Sequence, residues 1–76
     1  MPKITPISWK VLKKIFEADG FVKDRVTGDH IVMVKEGVVR PVIIPKYSAI
    51  GRDIILNNMR TARMSRDRYF ELLNKT

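Results

Sequence analysis

The sequence has no cysteine, one histidine, one tryptophan and only eight acidic residues in 76. Without cysteine there is no disulfide and no thiol nucleophile, and a single histidine cannot build a structural zinc site. The fold must therefore hold by packing and hydrogen bonds alone. Lack of cysteine also fits a reducing compartment. Apolar runs are cut by Lys, Arg or Pro long before membrane-spanning length, and the opening stretch MPKITPISWK lacks the apolar core of a signal peptide. A soluble, cytoplasmic chain without membrane attachment is expected. No glycine-rich phosphate loop follows a strand, and no carboxylate–histidine group has metal-ligand spacing. The expectation is thus no metal and no small-molecule cofactor.

What is present is basic charge on a small, packable chain. Seventy-six residues make one small domain, and a chain of this size buries only about 60% of the surface it exposes when unfolded, which argues against a deep substrate cavity. Hydrophobic residues at 45% suffice for one core. Fifteen Lys and Arg give a net charge of +7 and a pI near 10.2, which favours an anionic partner. The excess is uneven: residues 1–36 hold seven basic and five acidic groups, a net of +2, and residues 37–76 hold eight and three, a net of +5.

Local signals order the chain as α-β-β-β-α-α. Pro6 holds Ile7 extended, Ser8 is a good N-cap, and Ile7 and Leu12 are spaced as a hydrophobic staple. Val11, Leu12, Ile15 and Phe16 recur at helical spacing and Gly20 suits a left-handed stop, so a first helix is predicted over 8–19. Three Val- and Ile-rich runs follow, FVKDRVT, HIVMVK and VVRPVIIP, separated by turns short enough for hairpins. Pro41 lacks a ladder donor and places the third run at an edge. Ile50, Ile54, Ile55, Met59 and Ala62 then mark a second helix, and Ser65 caps a third carrying Tyr69, Phe70, Leu72 and Leu73. The expected fold is a two-layer α+β domain, a three-stranded antiparallel sheet with its helices on one face.

In order along the chain, the stretches LKKIFEADGFV, TGDHIVM, VIIPKY, IGRDII and ARMSRDRYF resemble the HicA family of toxin endoribonucleases. The resemblance implies one HicA-like domain over 1–76 and a fold similar to the double-stranded-RNA-binding domain. It further implies metal-independent cleavage of mRNA and neutralisation by a HicB-like antitoxin. The family's functional histidine falls on His30. Around it the chain departs from the family pattern, with Asp29 and Ile31 flanking the histidine and Lys46-Tyr47 where the family often has another histidine.

The chemistry suits these residues. RNA is cut without metal when its 2′-OH is deprotonated and attacks the adjacent phosphate, which needs a group exchanging protons near neutral pH; imidazole, with an ordinary pKa of about 6.5, is that group. Lys46, Tyr47 and Arg52 are candidates for holding RNA, with the amides opening the Gly51 helix in support. Tyr47 or Trp9 can stack on a base. Arg60 and Arg63 are further candidate RNA contacts, whose simpler reading is a solvated basic face shared with Arg66 and Arg68. Two other functions compete: a non-catalytic RNA-binding module of the same fold, and a domain whose basic surface serves only an acidic protein partner.

Overall fold

The computed structural model describes residues 3–76. Helix α1 runs Trp9–Ala18. Ser8 is its N-cap, with a hydroxyl that accepts from the Val11 amide at 3.4 Å, and Leu12, Ile15 and Phe16 form the buried stripe. The helix stops in a Schellman arrangement. Gly20 takes φ +103°, its amide donates to Glu17 at 3.0 Å, and the Phe21 amide donates to Phe16 at 2.9 Å. The rings of Phe16 and Phe21 then meet edge to face, centroids 5.4 Å apart, which supplies the apolar contact that closes this motif.

Because the Phe21 amide closes α1, the first strand starts one residue later than the apolar run predicts: β1 is Val22–Thr27. It pairs antiparallel with β2, His30–Val34, with an irregularity between Lys23 and Arg25. Gly28-Asp29 makes the two-residue turn, and Gly28 at φ +56° supplies the positive φ that such hairpins need at their first central position. Strand β3, Val42–Pro45, pairs antiparallel with β2, giving the order β1-β2-β3 with β3 at an edge. The predicted third run is therefore cut short. Pro41 stands immediately before the strand, where its missing N–H costs no ladder bond, and Val38–Arg40 belong to the connection.

Helix α2 spans Arg52–Ala62 and α3 spans Arg66–Asn74. Gly51 caps α2 without a side-chain bond, whereas the Ser65 hydroxyl accepts from the Arg68 amide at 3.1 Å. Ile31, Met33, Val42 and Ile44 project from the sheet into a core completed by Leu12, Ile15, Phe16, Ile55, Met59, Tyr69 and Leu72. All three helices thus cover one face, as the α+β layout predicts. The other face is open, with Val22 and Ile43 exposed.

Candidate nucleic-acid interface

His30 opens β2 opposite Thr27 on one side and Pro45 on the other. Ile31 and Met33 fill the core, so alternation puts His30 with Val32 on the opposite face, and His30 is exposed. Asp29, next to it, makes no ion pair with it among the described residues. What Asp29 does is backbone work: its carbonyl accepts from the Lys46 amide at 2.7 Å. That bond ties the residue after β3 to the residue before β2. Tyr47 is tied in turn to α1, because its carbonyl accepts from the Trp9 amide at 3.0 Å. One end of the sheet therefore gathers His30, Lys46, Tyr47 and Trp9. Lys46 Nζ stands 5.7 Å from the centroid of the Trp9 ring and Lys10 Nζ 5.8 Å, both within cation–π range.

The other predicted RNA contacts sit elsewhere. Strand β2 runs from His30 to Val34 and leads into the connection that holds Arg40, and α2 returns alongside β3 to end near that connection. Arg60 and Arg63 consequently line a cleft of about 260 Å³ with Val38, Val39, Arg40 and Thr61, at the end of the sheet away from His30. Arg52 lines a second cleft, about 430 Å³, with Lys3, Thr5 and Arg66. The predicted set is thus parted into three basic sites. Trp9 is already a candidate for stacking from the sequence, whereas Lys10, Lys3 and Arg40 join these sites through placements that no sequence spacing announces.

Ion pairing sharpens this map. Asp19 accepts from Arg68 Nε at 3.0 Å and lies 3.5 Å from Lys35 Nζ, and Arg68 also reaches Glu71. The bond to Asp19, then that to Glu71, raises the Arg68 pKa further above its already high value. Glu17 pairs with Lys13 and Asp24 with Arg25. Among the described residues, Lys10, Lys14, Lys46, Arg40, Arg52, Arg60 and Arg63 pair with no carboxylate. These seven cations are therefore left with their charge for an external anion.

Residues 9–64 match the protein family described as HicA toxin of bacterial toxin–antitoxin. The chain belongs to the HicA family. The matched span runs from Trp9 to Met64, so it holds His30 and every predicted RNA contact, and leaves α3 outside. A toxin role within a bacterial toxin–antitoxin system follows from that membership. No curated protein matches the chain, and no solved structure matches it. Among the described residues no helix is long and apolar enough to cross a membrane, and no three His, Cys, Asp or Glu side chains gather in a way that would hold a metal ion.

Proposed function

We propose that this HicA-family chain is an endoribonuclease that cleaves mRNA without a metal, with His30 as its general acid and base. Neutral imidazole takes the proton of a ribose 2′-OH, and the 2′ oxygen bonds to the adjacent phosphorus. The bond from phosphorus to the 5′ oxygen breaks, and that oxygen takes up a proton from the imidazolium. The products are a 2′,3′-cyclic phosphate and a 5′-hydroxyl. The observation that carries this reading is the placement of His30: exposed, held by pairing on both sides, and next to the segment of Lys46, whose charge no carboxylate among the described residues cancels. A lysine there stabilises the charge that builds on the phosphate oxygens.

The layout of one α+β unit with an open sheet face supports a likeness to the double-stranded-RNA-binding domain, and we take residues 1–76 as a single working domain in the cytoplasm. The net charge of +7 supports an acidic-faced, HicB-like antitoxin as the partner that silences it. The test uses an RNA and its fully 2′-deoxy counterpart in EDTA. Cleavage of the RNA alone, leaving a cyclic phosphate, supports the reading; cutting of both chains contradicts it.

One observation favours the alternative of a non-catalytic RNA-binding module. Asp29 does not pair with His30, so no carboxylate among the described residues orients the imidazole. That module would bind RNA with a steep salt dependence and be indifferent to His30→Ala.

A further inference from the structure

We propose that Trp9 is a stacking platform for an unpaired nucleobase, with Lys10 and Lys46 holding the phosphates beside it. The proposal rests on RNA being the ligand, and goes beyond it in naming where one base sits. Trp9 is the first residue of α1 and is only partly buried, packed against the core without belonging to its buried set. A ring anchored on one side and open on the other is preorganised for stacking, since little freedom remains to be lost.

Its surroundings select the ligand. The ring lines an open cleft of about 230 Å³ with Lys10, Lys13, Lys14 and Glu17. Lys13 is held by Glu17 at 3.4 Å, whereas Lys10, Lys14 and Lys46 pair with no carboxylate among the described residues. An aromatic face ringed by unneutralised ammonium groups suits a flat base attached to phosphate. Both Lys10 and Lys46 already lie within cation–π range of the ring, so they stay close to whatever stacks on it.

The platform is also tied to the histidine turn. The Trp9 amide donates to Tyr47, and the Lys46 amide donates to Asp29, the residue before His30. A base on Trp9 and a phosphate at His30 are thus held by segments that two backbone bonds tie together. A paired base cannot leave its stack at no cost, so the subsite would favour single-stranded over duplex RNA.

Trp9 is the only tryptophan, so its fluorescence, excited where tyrosine does not absorb, reports on this ring alone. The chain carrying His30→Ala, which leaves the RNA intact, is titrated with a single-stranded oligoribonucleotide and with an abasic chain of equal length. Stacking predicts quenching by the RNA and not by the abasic chain. It also predicts binding weakened about 5- to 100-fold in Trp9→Leu but mostly retained in Trp9→Phe, each shown folded by circular dichroism. Equal affinity for both chains without quenching, or Trp9→Leu binding as the parent does, overturns the platform. Duplex RNA binding as tightly as the single strand overturns it too. Quenching in the His30→Ala chain together with a folded parent that cuts no RNA would sink the nuclease reading and leave the platform standing; cleavage by the parent without quenching in the variant would do the reverse.

Discussion

Two polar atoms, Asn58 Nδ2 and Tyr69 Oη, are buried without a partner among the described residues. Burial alone raises the Tyr69 pKa above its ordinary value near 10, because the phenolate would lose its water. The sign follows from proton counts. Above pH 10 the unfolded chain gives up this proton while the folded chain keeps it, so stability is whole below pH 10 and falls as pH rises toward the folded value. Tyr69→Phe removes both the unpaired hydroxyl and this loss. Denaturant unfolding should show it more stable than the parent by about 1 kcal/mol at neutral pH, with a gap that widens above pH 10. A less stable variant would mean that the hydroxyl has a partner, such as an ordered water. His30, by contrast, is exposed, which fits a group that must reach a polymer.

Two helices end in the same hydrogen-bond pattern with different residues at the left-handed position. In α1 that residue is Gly20; in α2 it is Arg63, at φ 55°, with its own amide donating to Arg60 and that of Met64 donating to Met59. Alanine at Gly20 would hold a side chain in a strained backbone, its Cβ 3.3 Å from Lys35 Cε, and should cost about 1–2 kcal/mol, read from the denaturation midpoint. Arg63→Gly should do the opposite and gain about 1 kcal/mol. The contrast also shows what the sequence made legible. Ser8, Gly20 and Ser65 act within a few residues, so α1 and α3 could be read directly, and Gly28 fixed the hairpin that presents His30. Phe21 and Val38–Arg40 misled because an apolar run does not reveal that one amide closes a helix or that Pro41 precedes a strand.

At the scale of the whole molecule, the basic surplus is divided among three clefts, and this division was not legible. Lys46, Arg52 and Arg60 follow one another in the chain, and nothing in their spacing tells whether they meet in space. The return of α2 alongside β3 carries Arg60 and Arg63 to the end of the sheet away from Lys46. An extended RNA could touch more than one cleft, and its binding should weaken steeply with salt. Arg63→Gly should flatten the plot of log affinity against log salt by about one unit while leaving the fold intact. An unchanged slope would assign Arg63 to the solvated surface.

The central claim concerns His30, and the most direct measurement is cleavage of a labelled single-stranded RNA in EDTA by the intact protein and by His30→Ala. The account predicts that the variant keeps its fold and its RNA affinity and cuts about 10²- to 10⁴-fold more slowly. Cutting at the parent rate by His30→Ala would contradict it, as would a folded, RNA-binding parent that cuts no RNA at any pH.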